Sequence, residues 1–565
     1  MRIFFTFFIS WFIAISALAD ESDYWFLNEP TPKPKKKVVN EQPLIGEDGL
    51  INFNNEILDD SRPIVMLKPG PSQKRTYKKV DARRLGPSID SITASYQKLG
   101  IDSIWTGVFG GLNAKGKEFL EYVKTVNRHG FKPSEYHLGE ISQAVENGED
   151  VDKLISRAFV KLANHATLGR LIPKKADTDW FITQNSITQN QLIKSATSAS
   201  DIGAYIESLF PQTRLYQNLV RAYQNIEQLV KDGGWSEFPT AGPKLQQGSS
   251  HKHVPLLRQR LHDSGYLDGA SGGTTFDDKL KQALVRFQED HGLNTDGVLG
   301  RITRLTLAKS VEQRKKQITN TLERLRWLPN NLGSRYIMVN TAGYELNMLE
   351  NEYTAVNMRI VVGKKKRGGN NHETPSFFKN MQYLVLNPRW YVPPSIASKE
   401  LLLLAQKDRN FFKKKGYKVY SSKGEVNSSS VNWHKYRKGE KLPLQIVQKA
   451  GSGNALGRIK FMLPNKFNIY LHDTPQKSLF ARDRRAFSHG CVRLAKPMSL
   501  ATKVLGKSEE EISSMISSGR NQRVDLAQNI PVYIVYLTAW VRDDGRVIFF
   551  DDYYGRDARM QHNFS

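Results

Sequence analysis

Apolar residues between positions 78 and 231 recur at intervals of three and four, which is the spacing of amphipathic helices. Phe119, Leu120, Val123 and Val126 fit one face of such a helix. These stripes are most simply explained as a core, since no residues at catalytic spacing accompany them. The pattern therefore predicts a helical scaffold domain, with helices at 119–126, 152–160 and 201–231.

Shorter amphipathic helices separated by glycine-containing turns follow residue 248. They are predicted at Val254–Leu261, Leu280–Gln288 and Ile302–Ala308. The charged helix Val311–Trp327 comes next, and we expect it to pack back on the first helices. The sequence thus predicts a three-helix module at residues 249–310, inserted into a scaffold domain formed by residues 78–248 and 311–333.

From residue 334 the pattern changes to alternating apolar and polar positions with β-branched residues, which is typical of strands. Strands are predicted at 336–340, 344–346, 358–362, 383–387, 467–472, 532–536 and 546–550. Helices at 498–505 and 509–517 complete a β-rich domain over residues 334–565. The whole chain is therefore expected to be a multidomain α+β protein.

The strand pattern stops between residues 388 and 445, where a helix is predicted at Ser398–Gln406. An insertion of this length inside a compact β domain is usually functional or disordered. We interpret it as a lid whose aromatic side chains, Trp390 among them, cover a bound peptide. A surface decoration without such a role is the alternative.

The N-terminus carries Arg2, an apolar run from Ile3 to Leu18, and a small residue at Ala19. This pattern predicts a secretory signal peptide at residues 1–19, cleaved after Ala19. An uncleaved signal anchor is the alternative, and only then would the chain be attached to a membrane. Residues 20–77 form a Pro/Lys-rich stretch that is expected to be an extended linker.

The chain is strongly basic, with 82 lysines and arginines against 56 acidic residues and a net charge of +26. An exported protein with this charge suits an anionic lipid or an anionic wall polymer. The charge is spread along the chain, and no nucleic-acid fold signature accompanies it. Nucleic acid is therefore not an expected partner.

Cys491 is the only cysteine in 565 residues, so it cannot form an intramolecular disulfide. A thiol attacks as thiolate and needs a base or a positive environment. His472 and His489 both lie within twenty residues and are the candidate bases. A buried, inert cysteine is the alternative, but the Ser488–Cys491 sequence with an upstream histidine favours a nucleophile.

The other candidate site residues lie next to this thiol in the sequence or in segments that are expected to approach it. The N–H groups of Gly490 and Cys491 are candidates for holding a developing oxyanion. Candidate substrate contacts are Ser488, Arg493, Tyr470, Asn454 in a glycine-rich loop, and Trp390. The remaining histidines show no ligand spacing, so neither a metal nor another cofactor is expected.

These residues resemble the catalytic signature of the YkuD-type L,D-transpeptidase family. That signature has a histidine, a spacer, then Ser/Thr-His-Gly-Cys, an apolar residue, and Asn or Arg. Here the spacer of fifteen residues separates His472 from Ser488, and Val492 and Arg493 fill the last two places. The resemblance implies that Arg493 contacts a substrate carboxylate, and that His489 shapes the pocket. A backbone carbonyl is expected to orient His472.

The predicted module at 249–310 is similar in the order of its sequence pieces to the three-helix peptidoglycan-binding module. The whole arrangement is similar to the large YcbB-type L,D-transpeptidases of Gram-negative bacteria. The further shared pieces are Arg326–Pro329, Leu386–Pro388, Asn454–Arg458 and Leu471–Pro475.

The resemblance implies a periplasmic, wall-associated enzyme that forms 3→3 cross-links between peptidoglycan tetrapeptide stems through a cysteine thioester. Other cell wall enzymes are its implied partners. L,D-carboxypeptidase or D-amino acid exchange activity by the same thiol remains open. A wall-binding scaffold without catalytic activity is the alternative from a different class.

Overall fold

A computed structural model of the chain describes residues 86–365 and 372–561. The predicted signal peptide at 1–19 and most of the chain before the scaffold, including the linker at 20–77, lie outside the described residues. Within those two described ranges, no helix combines the length and the apolar character needed to cross a membrane.

The scaffold is helical, as predicted. Its helices are α1 (Ile89–Leu99), α2 (Ala114–Lys124), α3 (Leu138–Glu146), α4 (Asp152–Leu168), α5 (Pro173–Ala176), α6 (Gln189–Ser198), α7 (Ile202–Leu209) and α8 (Arg214–Lys231). The prediction of one continuous helix over 201–231 is wrong. Pro211 interrupts it because proline disfavours helical backbone at the residue before it. Thr213 then caps α8 by accepting a hydrogen bond from the N–H of Tyr216.

The three-helix module is also found. It consists of α9 (His253–Asp263), α10 (Asp278–Asp290) and α11 (Arg301–Leu307). These helices bury a hydrophobic cluster of their own, which includes Leu257, Leu284 and Phe287. The chain then returns to the scaffold through α12 (Val311–Arg326), which contacts α8 as expected.

The β-rich domain is built on one large sheet. Its strands are β1 (Trp180–Phe181), β2 (Arg335–Asn340), β3 (Glu345–Glu350), β4 (Tyr353–Gly363), β5 (Ser376–Leu386), β10 (Ile459–Met462), β11 (Leu471–His472), β12 (Ala486–Ser488), β13 (Val492–Leu494) and β14 (Gln522–Val535). The order is β1-β5-β10-β11-β13-β4-β3-β2-β14, and β12 pairs with β4. Because β14 also pairs with β5, the sheet closes on itself.

Smaller elements follow or accompany this sheet. Helices α16 (Pro497–Leu505) and α17 (Glu509–Ser517) precede β14, and α18 (Arg556–Gln561) ends the described chain. Strands β15 (Ala539–Val541) and β16 (Val547–Phe549) form a hairpin. The predicted strand over 467–472 is wrong in its first half. Asn468 has a φ of +54°, so the backbone leaves the extended conformation there and β11 begins only at Leu471.

The insertion after β5 has strands that the sequence did not predict. Strands β6 (Trp390–Tyr391), β7 (Tyr417–Ser421), β8 (Gly424–Val426) and β9 (Gln445–Gln448) form a separate sheet. The helical piece predicted at 398–406 is a π-helical turn at Ala397–Leu401 that continues into α14 (Leu402–Lys407), between the short helices α13 (Pro394–Ile396) and α15 (Phe411–Lys414). Phe412, Trp433 and Ile446 belong to a core of its own. The insertion is therefore a small folded unit.

Scaffold and β-rich domain share one continuous hydrophobic core. The scaffold strand β1 pairs in parallel with β5, and the rings of Trp180 and Trp327 meet edge to face with centroids 5.1 Å apart. Arg556 of α18 is fully buried and donates hydrogen bonds of 3.1 Å to Ser376 and to the carbonyl of Thr374. Its guanidinium also lies 3.6 Å from the scaffold residue Asp177. A buried ionic contact thus joins the two parts.

We predict that Arg556→Met destabilises this shared core by about 3–5 kcal/mol, because it removes a buried cation that faces the carboxylates of Asp177, Asp179 and Glu373. Urea unfolding followed by tryptophan fluorescence measures the change. Lys507→Met, at an exposed side chain, is the control and should change the unfolding free energy by less than about 0.5 kcal/mol. A loss below about 1 kcal/mol for Arg556→Met would contradict the structural role assigned to this contact.

Candidate active site

Strand register brings the candidate chemistry onto one face of the sheet. Lys460 of β10 is the antiparallel partner of His472, and His472 is the parallel partner of Arg493. The N–H of Val492 donates to the carbonyl of Tyr470 at 3.1 Å, which places Cys491 beside Tyr470. Alternate residues of a strand share a face. The site face therefore carries Lys460, Tyr470, His472, Cys491 and Arg493.

The opposite side chains of the same strands anchor this face. Phe461 and Leu471 are cross-strand partners, as are Leu471 and Val492. All three are fully buried in the core. The sequence alternates strictly between core and site positions here, so the buried residues fix which way the polar residues point.

Cys491 is half-buried, with its Sγ 3.6 Å from the carbonyl oxygen of Asn468. Burial raises the pKa of the thiol. Hydrogen bonds with Tyr470 and the charges of Lys460 and Arg493 act in the opposite direction. The thiol is thus protonated at rest, in surroundings that favour its thiolate once the proton is removed.

His472 has the geometry of a neutral base. Its Nδ1 lies 2.5 Å from the backbone carbonyl of Asp473, which fixes the proton on Nδ1 and leaves Nε2 as the proton acceptor. Burial, reinforced by the cation of Arg493, lowers the pKa of His472 to about 3. The backbone carbonyl expected from the sequence is therefore present.

The carboxylate of Asp473 points away from the imidazole. It accepts hydrogen bonds from the N–H of Arg458 at 2.8 Å and from Lys477 at 2.6 Å. Gly457 makes this packing possible. It has a φ of +63°, and a Cβ there would collide with the Asp473 carboxylate. The glycine-rich loop thus approaches Asp473, the residue directly after His472 of the active-site face.

The turn before Cys491 differs from the expectation in two respects. The N–H of Gly490 donates to the hydroxyl of Ser488 at 3.1 Å, so it is not aimed at a substrate. The Ser488 hydroxyl in turn donates to the carbonyl of Cys491 at 2.6 Å. Ser488 therefore holds the turn, rather than making the predicted substrate contact. The N–H of Cys491 is left as the candidate oxyanion donor.

The backbone conformation at position 490 favours glycine. Its φ is +122°, which side-chain-bearing residues rarely adopt, although a Cβ would meet no atom closer than 3.7 Å. The hydroxyl of Thr374 donates to the carbonyl of Gly490 at 2.8 Å and accepts from the N–H of Gly363 at 3.0 Å. Thr374 was not predicted as a site residue, because it lies 116 positions from Gly490 and carries no local signal.

His489 connects the catalytic turn to the insertion. Its Nε2 lies 2.5 Å from a carboxylate oxygen of Glu400, and its ring meets that of His372 nearly at right angles with centroids 4.7 Å apart. Although burial opposes it, the contact with His489 lowers the pKa of Glu400. This arrangement assigns His489 to the insertion contact, and it adds Glu400 and His372 to the surroundings of the site.

Two predicted substrate contacts hold the insertion instead. Asn454 is buried, and its amide donates to the carbonyls of Pro388 at 3.1 Å and Lys449 at 2.8 Å. It thereby joins the first residue of the insertion to the segment that follows β9. Trp390 pairs with Gln448 across β6 and β9 and belongs to the insertion's own core. Among the described residues neither side chain has a hydrogen bond with Cys491, and their contact with substrate stays a prediction.

Arg493 has a donor available for an anion. Its Nη1 donates to the side-chain carbonyl of Gln476 at 2.5 Å. Over residues 86–365 and 372–561, its buried Nε has no hydrogen-bond partner. A guanidinium in this state suits a substrate carboxylate. Gln476, which orients it, was not predicted.

Comparison with known proteins identifies three segments of the chain. Residues 334–533 match the family model of the L,D-transpeptidase catalytic domain, YkuD. Residues 90–222 match a scaffold domain, and residues 250–307 match a putative peptidoglycan binding domain.

A putative L,D-transpeptidase of Haemophilus influenzae is 30% identical over 249 residues, which cover 43% of this chain. The match spans about half the length of that relative, 49%. Solved L,D-transpeptidase structures from Xylanimonas cellulosilytica and Stackebrandtia nassauensis are 15% and 11% identical. They cover 53% of this chain and 100% and 97% of their own chains, with TM-scores of 0.18 and 0.22. TM-scores this low do not establish a shared overall fold.

We predict that Gly457→Ala lowers the unfolding free energy by about 1–3 kcal/mol, because the new methyl group is strained at positive φ and displaces Asp473. Chemical denaturation measures the loss. Gly453→Ala in the same loop is the matched control, since a Cβ there has no neighbour within 4 Å. Equal stability of the two variants would contradict the close packing of Gly457 on Asp473.

We also predict that His472 makes the protein less stable as the pH falls. Its pKa is about 3 in the folded chain and near 6.5 when unfolded, so below pH 6.5 only the unfolded state takes up this proton. Between pH 6.5 and 5 the wild type should lose about 2 kcal/mol more than His472→Gln does. Urea unfolding at several pH values tests this, and parallel losses in both proteins would contradict it.

Proposed function

The chain carries an L,D-transpeptidase catalytic domain, and we propose that it forms 3→3 cross-links between peptidoglycan stem peptides through a thioester on Cys491. The observation that carries this proposal is the placement of Cys491 and a neutral His472 on one face of the sheet. A nucleophile with an adjacent oriented base is the arrangement that covalent acyl transfer needs.

In the first step, Nε2 of His472 accepts the thiol proton while sulfur attacks the carbonyl at the L-centre of the third residue of a tetrapeptide stem. The tetrahedral intermediate then breaks its C–N bond. His472 returns the proton to the departing amine of D-alanine, and a thioester remains on Cys491. The N–H of Cys491 faces the developing oxyanion, and loss of such a donor typically costs about 10²–10³ in rate.

In the second step, the side-chain amine of diaminopimelate on a neighbouring stem attacks the thioester. A new amide bond forms, the C–S bond breaks, and the thiol of Cys491 is regenerated. Water or a free D-amino acid in place of this amine would give L,D-carboxypeptidase or exchange activity with the same residues.

Other parts of the chain supply substrate binding. Arg493 offers its buried Nε to a stem carboxylate. The module at residues 250–307 would hold the enzyme on the wall. The insertion over 388–445 would act as a lid, joined to the catalytic turn through Glu400 and His489. The proposed location is the periplasm, in association with the wall and other wall enzymes, with membrane attachment only if the signal peptide is uncleaved.

The test is incubation of the protein with purified disaccharide-tetrapeptide, with products read by mass spectrometry. We predict a dimer that has lost one D-alanine, and no product with Cys491→Ala, since no other cysteine can carry the acyl group. Thermal melting of both proteins controls for folding. A carbapenem adduct at Cys491 gives an independent readout of the nucleophile.

Tripeptide without dimer would replace transpeptidation by carboxypeptidase activity. Absence of any product, together with binding of the protein to sacculi, would refute the enzymatic proposal and favour a wall-binding scaffold. A dimer formed equally well by Cys491→Ala would refute the thioester.

A further inference from the structure

Lys460 is a buried cation on the site face that belongs to no part of the catalytic signature. Its side chain is only 7% exposed. It is the direct cross-strand partner of His472, and its Nζ lies 4.3 Å from the centre of the Tyr470 ring. The Tyr470 ring is 5.7 Å from that of His472, and Tyr470 is hydrogen-bonded to Cys491. Lys460 is therefore next to His472 in the sheet and is connected to Cys491 through the side chain of Tyr470.

The charges that face the thiol from each neighbouring strand are mostly positive. Strand β10 contributes Lys460, β11 contributes the neutral His472 with Tyr470 just before it, and β13 contributes Arg493. The acidic groups nearby are turned to other partners. The Asp473 carboxylate is held by Lys477 and the N–H of Arg458, and Glu400 is held by His489, which also contacts His372.

We propose that Lys460 is a positioning residue for the thiol chemistry, whose ammonium group stabilises the thiolate of Cys491 and disfavours the imidazolium form of His472. The electrostatic effect of a buried charge on neighbouring groups is only weakly screened by salt. In agreement with this proposal, the positive charge of Lys460 lowers the pKa of the Cys491 thiol and the pKa of His472. The consequences for turnover rest on the proposed function, but the effect on the thiol itself does not.

The two effects act on successive steps of the reaction. Lys460 forms no covalent bond in either step. Its charge stabilises the negative charge that moves from sulfur to the substrate oxygen. It also makes the imidazolium of His472 a stronger acid, so the proton passes readily to the departing amine. Lys460 thus supports the attack and the collapse of the intermediate together.

The experiment measures alkylation of the thiol by iodoacetamide as a function of pH. Cys491 is the only cysteine, so every alkylation event reports on it. For Lys460→Met, which keeps an unbranched side chain without the charge, the alkylation midpoint should rise by about one pH unit. The rate at pH 7 should fall about tenfold. Lys460→Arg should restore the wild-type midpoint, because it restores the charge.

Arg523→Met is the matched control. Arg523 is the cross-strand partner of Val385, which is itself the partner of Lys460, so it lies on the same row two strands further from His472. Its charge is also balanced by Asp525 at 2.7 Å. Its removal should leave the alkylation midpoint within about 0.2 pH units of wild type, as a distant screened charge requires.

Coincident alkylation profiles for the wild type and Lys460→Met would overturn the proposal. So would a loss of cross-linking with an unchanged alkylation midpoint, since Lys460 would then act on the substrate. If Lys460→Met does not fold, Lys460→Gln provides the same comparison. Alkylation requires no peptidoglycan, so failure of this proposal and failure of the proposed function can be told apart.

Discussion

The register of β11 is the constraint on which the site depends. This strand has only two residues, Leu471 and His472, held between β10 and β13. Leu471 is fully buried between its partners Phe461 and Val492. A slip by one residue would turn His472 into the core and Leu471 toward the substrate, at the cost of burying an imidazole without its carbonyl partner. The buried apolar residues of these strands therefore determine which side chains face the site.

Much of the remaining structure keeps this register and the adjoining turn in place. The closed sheet leaves β10, β11 and β13 paired on both sides. Thr374 and Ser488 hold the Gly490 turn, and Gly457 allows Asp473 to pack where its carbonyl reaches His472. The scaffold contributes through the common core and through Arg556. Contacts from several elements thus hold the catalytic face, whereas the insertion has its own core and meets the turn through Glu400 and His489.

Sequence patterns predicted the parts of the molecule that depend on residues close together in the chain. The helices, the three-helix module and the catalytic signature depend on short-range spacing, and the family match confirms the L,D-transpeptidase domain. Contacts between distant residues gave no such signal. Asn454 and Trp390 were predicted to contact substrate, yet their contacts in the structure stabilise the insertion, and Lys460 and Glu400 lie at the site although neither was predicted to. The role of each site residue and the signal peptide remain predictions.

The electrostatics of the site also suggest why the base is neutral. A thiolate–imidazolium pair would need a carboxylate or water beside the imidazolium to stabilise its charge. Histidines exposed to solvent have such water. Here Nδ1 of His472 faces only a backbone carbonyl, and Lys460 and Arg493 lie on either side of its strand position. Both features disfavour the imidazolium form of His472. Under the proposed mechanism, protonation of His472 is therefore coupled to bond formation at sulfur, and the thiol stays uncharged until a substrate carbonyl is in place.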